Sequence, residues 1–343
     1  MKVLVTGANG FLGRHVVAEL ARRGHSVRAL VRPASRVESL GWPGSVEVAR
    51  GDIRSPRGLA PAFEGVEALL HLAAAVTGGE DAQFAAAAVG TERLLEAAKG
   101  SGLRRVVLAS SFSVYDWKRA RGELNEATPV LEAPALYDRD GYAVAKVWQE
   151  RVTRRACAAN GWDLAVLRPG FIWGRDQGYL ACLGQKFGPV HLLFAPTAKI
   201  PITHVENCAG AFVDALESPR AAGETFNVVD DQGVTAWRYL GDHLRMSHER
   251  GIRVPVPYFL GMTGARAARL VSRLIFRGKG KLPSLLVPCR FEARFKPLRF
   301  PNGKARDVLG WRPTLSYEEA LTRTYGPEPA PETTARTPEA AHV

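Results

Sequence analysis

Residues 2–13 read Lys2-Val3-Leu4-Val5-Thr6-Gly7-Ala8-Asn9-Gly10-Phe11-Leu12-Gly13, a short aliphatic run that passes straight into three glycines spaced three apart. The run predicts a strand and residues 12–23 predict a helix, so the glycines fall at a strand-to-helix turn. Such a turn calls for glycine on three counts. The chain must bend sharply, its backbone must approach a pyrophosphate closely, and the helix must pack tightly on the strand. The helix N-terminus brings unpaired N–H groups and positive dipole to the same spot. A glycine triplet alone says little; the strand before and the helix after make it a dinucleotide cradle. Gly7, Asn9, Gly10, Phe11, Leu12 and Gly13 are therefore the candidate nucleotide contacts.

The alternation begun there continues. Residues 27–31, 46–49, 68–72, 105–109 and 164–167 read as strands apolar on both faces, with helix-length stretches such as 91–99 between them. That pattern predicts an α/β protein, a Rossmann-like doubly wound parallel sheet with helices on both sides. Residues 173–201, rich in Gly, Pro and aromatics, break the alternation, and 205–217 and 225–229 resume it. Residues 1–172 thus read as the dinucleotide-binding unit, with 204–230 returning to it. From Gly326 onward Pro, Glu, Ala and Thr dominate, which predicts a disordered tail over 326–343.

The end of the second strand bears on the choice of cofactor. Folds that prefer NAD usually carry an acid there for the ribose 2′-hydroxyl. Here no acid lies between Glu19 and Glu38; the position is Arg32, with Arg28 and Arg36 nearby. A guanidinium grips a 2′-phosphate bidentately and is always charged. NADP(H) is the expected cofactor, with NAD(H) the alternative if Arg32 only stacks on adenine.

Tyr142-Ala143-Val144-Ala145-Lys146 sets a phenol and an ammonium four apart on a predicted helix, hence on one face. A neighbouring Lys⁺ is expected to stabilise tyrosinate and lower the phenol pKa from about 10 towards working pH. Tyr142 would then exchange a proton with a substrate oxygen while hydride moves to or from nicotinamide. Ser110-Ser111-Phe112-Ser113-Val114-Tyr115 follows the 105–109 strand, where loops at the carboxyl edge of a parallel sheet meet ligand. Ser111 is the hydroxyl expected to hydrogen-bond that oxygen, and Tyr115 reads as pocket wall. Ser111, Tyr142 and Lys146 form the catalytic expectation.

These motifs, with Gly51-Asp52-Ile53, His71-Leu72-Ala73-Ala74, Arg168-Pro169-Gly170, His204-Val205-Glu206-Asn207 and Leu309-Gly310-Trp311-Arg312-Pro313, occur in the order seen in the extended short-chain dehydrogenase/reductases. That family is also called the NAD-dependent epimerase/dehydratase family, and the resemblance covers about residues 1–325. It implies that Asp52 and Ile53 meet adenine and that Leu72, Ala73 and Ala74 line the cofactor. It implies that Pro169 and Gly170 sit beside the nicotinamide and that Lys146 also holds its ribose. A smaller, mostly C-terminal substrate lobe (173–203 and 231–325) and a homodimer are further implications. Three departures stand out. Ala87 occupies the place of an asparagine, Phe112 and Ser113 replace the Asp-Glu pair of sugar-nucleotide dehydratases, and Asp116 replaces the glycine after Tyr115. Dehydratase chemistry is therefore not expected. A reductase or dehydrogenase acting on a secondary alcohol or ketone is the leading reading. A sugar-nucleotide epimerase with retained NAD is the alternative. The joint presence of Ser111, Tyr142 and Lys146 speaks against an NADP-sensing or nucleic-acid-binding regulator.

Charge and cysteines bound the rest. Fourteen Lys/Arg and two acids, Glu292 and Asp307, lie between Arg253 and Arg312, so this segment carries the whole net charge of +12. It points to an anionic substrate, a lipid headgroup or nucleic acid. Four scattered cysteines with no metal-like spacing predict neither disulfides nor a metal site. No apolar run reaches the roughly 18 residues of a membrane span, and no leader precedes the first strand, so a cytoplasmic protein is expected. Within the basic segment Arg266, Arg269, Arg273 and Arg277 share a helical face, with Leu260, Leu270, Val271 and Leu274 away from it. Such a helix either packs its apolar side on the core, the reading taken here, or rests on anionic lipid and serves a lipid-linked substrate.

Overall fold

The aliphatic run becomes β1 (Lys2–Thr6), whose side chains alternate between two cores: Val3 and Val5 enter one, Leu4 the other. Burial on both faces is what a central parallel strand requires. The computed structural model describes residues 1–55, 58–74, 79–132, 140–276 and 282–327. After β1 come α1 (Phe11–Arg22), β2 (Ser26–Val31), β3 (Glu47–Arg50) and β4 (Ala68–His71). A helical stretch follows as α2 (Glu80–Phe84), a π-helical turn (Ala85–Val89) and α3 (Gly90–Ala97). Next are β5 (Arg105–Ala109), α4 (Gly141–Asn160), β6 (Asp163–Pro169), β7 (Phe171–Trp173), β8 (Gly184–Phe187) and β9 (Val190–Phe194). The chain continues with β10 (Ile202–His204), α5 (Val205–Glu217), β11 (Thr225–Val228), α6 (Ala236–Met246) and β12 (Ile252–Val256). The last elements among the described residues are α7 (Tyr258–Phe276), α8 (Pro288–Phe295) and α9 (Tyr317–Tyr325).

Among the described residues seven parallel strands form the main sheet in the order β3-β2-β1-β4-β5-β6-β11. Winding runs outward from β1 to β3, then starts again at β4 in the other direction. The reversal opens a crevice at the carboxyl ends of β1 and β4. One sheet face is covered by α1 and α5 through Val16, Val17, Leu20 and Phe212, the other by α3 and α4 through Leu94, Leu95 and Cys157. The doubly wound sheet is thus the one the alternation predicts. β3 differs from the expectation of burial on both faces because it is the sheet edge, and Val48 there is 42% exposed.

A separate small sheet pairs β8 antiparallel to β9 and β9 parallel to β12. Its neighbouring core gathers Trp173, Leu193, Tyr239, Leu240 and Leu321. Trp173 is fully buried among the rings of His204, Tyr239 and Tyr317 and is a core residue. The four cysteines are buried free thiols.

α7 reverses its expected orientation. Met262 and Ala265 are buried and pack with Phe291 and Phe295 of α8, whereas Phe259, Leu260, Leu270, Val271, Leu274 and Ile275 are exposed. The cause is a stripe of small residues, Gly261, Ala265, Ala268 and Ser272, spaced to share one helix face. A Cβ on Gly261 would lie 2.4 Å from Phe291 Cζ, so this is the side that α8 approaches. Arg277, expected with the other arginines, lies outside the described residues, as do 328–343 of the expected tail. Among the described residues no helix is long and apolar enough to cross a membrane.

Candidate active site

The glycines at the carboxyl end of β1 are held by close backbone approach. Gly7 has φ +68°, and a Cβ there would sit 2.8 Å from Ala73 N. On Gly13 a Cβ would lie 2.0 Å from Gly7 O, so α1 seats directly on the turn. Gly10 begins α1 with no side-chain cap, which leaves the first-turn N–H groups and the helix dipole open to an anion. Phe11 meets His15 edge to face, and Leu12 packs on the core. Asn9 Nδ2 donates to Ser35 Oγ at 3.2 Å, tying the turn to the loop after β2. A cradle shaped by these absent side chains fits a dinucleotide pyrophosphate.

Around it the expected contacts separate by role. Arg32 and Arg36 are exposed in the loop after β2, while Arg28 is turned inward onto Glu47 Oε2 (2.8 Å) and the carbonyls of Ala62 and Glu64. Asp52 accepts from Arg54, which with a weaker contribution from Arg32 holds its carboxyl below the ordinary range. Ile53 lies against Gly90, where a Cβ would come within 3.0 Å of it. Leu72, Ala73 and Ala74 leave β4 beside β1: Leu72 N–H donates to Thr6 O (3.2 Å) and Ala73 N–H to Thr6 Oγ1 (3.3 Å). Pro169 ends β6, and Gly170 is compelled by Pro201, whose carbonyl oxygen would lie 2.2 Å from an added Cβ.

Tyr142 and Lys146 stand at the start of α4, fixed by Asp140, whose Oδ1 accepts from Ala143 N at 2.9 Å. Ser111 hydrogen-bonds the Tyr142 side chain, and Lys146 Nζ lies 5.9 Å from the Tyr142 ring centroid. Ser111, Tyr142 and Lys146 are thus brought together at the carboxyl edge of β5. The expected lowering of the phenol is not what the site shows. Low-dielectric surroundings push Tyr142 up to about 12, resisted by Ser111. Burial pushes Lys146 down to about 7, resisted by Glu150. The ammonium is engaged elsewhere: Nζ donates to Ala109 O (2.7 Å) and to Gln149 Oε1 (2.8 Å).

Gln149 is the residue that sequence reading missed. Its Nε2 lies 3.0 Å from His71 Nε2 and donates to Thr91 Oγ1 (3.1 Å) and Ala73 O (3.2 Å). His71 Nδ1 in turn meets Thr6 Oγ1 at 2.7 Å. Burial, then the charge of Lys146, keeps that imidazole neutral with its pKa near 3. One buried polar chain therefore links the glycine turn to Lys146 past Ala87, which offers no side-chain amide. The only sequence signal was a polar residue three positions after Lys146, on the same buried helix face. A second missed group is Glu150. Its carboxylate takes Arg168 Nε at 2.9 Å and Nη2 at 2.8 Å, and it also accepts from Ser110. Tyr115 is not a pocket wall: it is fully buried and its hydroxyl donates to Asn227 Oδ1 at 2.6 Å. His204 caps α5, its side chain accepting from Glu206 N–H, which is a structural role.

A hollow of about 310 Å³ lined by Asp230, Asp231, Ser316 and Tyr317 contains none of the candidate residues. A smaller hollow lies between Cys182, Phe194, Arg294, Phe295 and Lys296. Among the described residues no group of three or more His, Cys, Asp or Glu could hold a metal ion.

Known proteins share this arrangement of the chain. The pattern of the NAD dependent epimerase/dehydratase family matches residues 3–228. The chain is similar to the 2-alkyl-3-oxoalkanoate reductase of Stenotrophomonas maltophilia, 30% identical over 341 residues that cover 94% of this chain and 98% of the relative. It is 29% identical to the 3 beta-hydroxysteroid dehydrogenase/Delta 5→4-isomerase of Mycobacterium tuberculosis over 341 residues, covering 94% of this chain and 88% of that one. In fold it resembles the UDP-glucuronic acid 4-epimerase from Bacillus cereus in complex with UDP-glucuronic acid and NAD. That likeness has a TM-score of 0.70 at 20% identity and covers 95% and 98% of the two chains. With the family pattern covering two-thirds of its length and named enzymes related along nearly all of it, this chain belongs to the NAD dependent epimerase/dehydratase family and is a nicotinamide-dependent enzyme.

Proposed function

We propose that the protein is an NADP(H)-dependent reductase or dehydrogenase that interconverts a ketone and a secondary alcohol, with Tyr142 as proton donor and acceptor. The observation that carries this reading is the convergence of Ser111, Tyr142 and Lys146 beside the glycine cradle. Gly7, Asn9 and Gly10 to Gly13 would hold the pyrophosphate, Arg32 the 2′-phosphate, and Asp52 and Ile53 the adenine end. Leu72, Ala73, Ala74, Pro169 and Gly170 would line the nicotinamide end, and Lys146 would hold its ribose. Bound there, the cofactor supplies or accepts the hydride.

The chain's own groups handle the proton. Ser111 orients the substrate oxygen, and the Tyr142 hydroxyl gives its proton to that oxygen in reduction or takes one in oxidation. A phenol with pKa near 12 is fully protonated at neutral pH, which suits the donor role. Lys146 stabilises the tyrosinate left behind, and Gln149 holds the lysine in register. On the substrate side, the positive charge gathered between Arg253 and Arg312 suits an apolar skeleton carrying an anionic group. A 2-alkyl-3-oxoalkanoate, named for one relative, is a substrate of that class. The homodimer belongs to the same reading: Phe84 and Trp148, exposed and edge to face, offer apolar surface for it to cover.

The test is ketone reduction with NADPH and with NADH, over 2-alkyl-3-oxo acids and ketosteroids, by wild type and Tyr142→Phe. NADPH is expected to be the better donor, and Tyr142→Phe to lose roughly 10²–10⁴-fold in turnover with cofactor binding retained. Undiminished turnover by the variant removes the proposal. NAD released from freshly denatured protein would put the epimerase reading ahead.

A further inference from the structure

We propose that α7 is a membrane-surface helix whose outward face lies in the interface of an anionic lipid bilayer. At 100° per residue, Phe259, Leu270, Thr263, Leu274, Ala267, Leu260, Val271, Gly264 and Ile275 occupy one continuous arc, and none of them is charged. All nine are exposed, with Leu274 and Ile275 at 73% and 69%. The helix is 19 residues long, about 28 Å at 1.5 Å per residue, so the apolar strip is long as well as wide. A contiguous apolar strip of this kind marks a surface that something covers.

The cations say what covers it. Arg266 and Arg273 are exposed along one flank of the strip, at the boundary between its apolar arc and the buried stripe. α7 contains no Asp or Glu, and the sequence has none between Arg253 and Glu292. Apolar side chains inserted among acyl chains, with guanidinium groups at headgroup level, is the arrangement an interfacial helix adopts on anionic lipid. A second copy fits less well, because its own strip would bring the same cationic flank and no carboxylate to meet it. Anchoring is also compatible with the fold, since the opposite face of α7 is already satisfied by Phe291 and Phe295 of α8.

The experiment is flotation of the full-length protein with unilamellar vesicles of phosphatidylcholine, with or without phosphatidylserine, at physiological salt. Wild type is expected to float with the phosphatidylserine vesicles and only weakly with phosphatidylcholine alone. Leu270→Glu/Leu274→Glu should lose about tenfold in vesicle affinity for each leucine removed from the acyl region. Arg266→Glu/Arg273→Glu should retain weak binding but lose the preference for phosphatidylserine. Both variants should keep the wild-type thermal midpoint and cofactor affinity, as expected of exposed positions. Failure of wild type to float overturns the proposal, as does flotation that the leucine variant leaves unchanged. Sedimentation velocity reads the rival occupant: a smaller assembly in the leucine variant, with no vesicle binding by wild type, assigns the strip to a second copy.

Discussion

Helices α4 and α7 are almost equal in length, 20 and 19 residues, and each inverts the usual placement of side chains in its own way. α4 buries Lys146, Gln149, Glu150 and Thr153, while α7 exposes four of the large aliphatic residues in its second half. The two inversions are stabilised differently. Every buried polar group named on α4 has a hydrogen-bond partner within the chain, as burial demands. The exposed residues of α7 have given up apolar burial, which favours a fold only if something outside the chain restores it. Polar groups turned inward thus mark chemistry, and apolar groups turned outward mark an interface.

The largest test of that comparison is Arg168→Met. Glu150 and Arg168 form a buried bidentate pair, each side chain about 5% exposed. Removing the guanidinium leaves a carboxylate in the interior whose remaining cation is the half-exposed Arg154 at 3.7 Å, and the variant should lose about 3–5 kcal/mol of stability in urea denaturation. The double variant Glu150→Leu/Arg168→Met should regain most of it, because the buried, poorly compensated charge is gone. A single-variant loss below about 1 kcal/mol would mean that water reaches the pair, and α4 would then not be polar on a dry side.

What could be read from the sequence divides along the same line. The glycine turn, the β/α alternation and the Tyr142–Lys146 spacing are local patterns, and their placement follows from helix and strand periodicity. Glu150 and Arg168 are only 18 positions apart, but their meeting depends on how α4 lies across β6, which periodicity does not encode. Gln149 was hidden for the same reason: its partners His71, Ala73 and Thr91 come from β4, the loop after it and α3. In α7 the separation of arginines from leucines was legible but not which side faces inward. Both sides are apolar, and the deciding signal was the small stripe of Gly261, Ala265, Ala268 and Ser272.

An effect of comparable size, read against pH, sharpens the account of α4. Burial pushes Lys146 down to about 7 from 10.5. Below about pH 7 the amine is protonated in both folded and unfolded chains and contributes no pH dependence. Between about 7 and 10.5 the unfolded chain holds the proton and the folded chain does not. Stability from this group therefore rises with pH by about 1.4 kcal/mol per unit, then levels off. Lys146→Met should lack that rise, read as the difference between denaturation midpoints of variant and wild type from about pH 7 to 10. Parallel pH dependences in the two proteins would mean the ammonium is not desolvated.

The smallest effect is the most diagnostic of α7. Leu274→Glu replaces one good helix former by another at a position 73% exposed, so folding stability should change by no more than about 0.5 kcal/mol. Ala265→Glu, the same new side chain on the opposite face, would drive a carboxylate between α7 and Phe291 of α8 and should destabilise by several times as much. The ratio between the two losses measures the polarity of the helix without any lipid present. Equal losses would mean that the leucine strip already packs against the chain's own residues, and the contrast with α4 would vanish. A near-zero loss at Leu274 beside a large one at Ala265 leaves the strip without a structural reason inside the fold, which is the condition an external surface would satisfy.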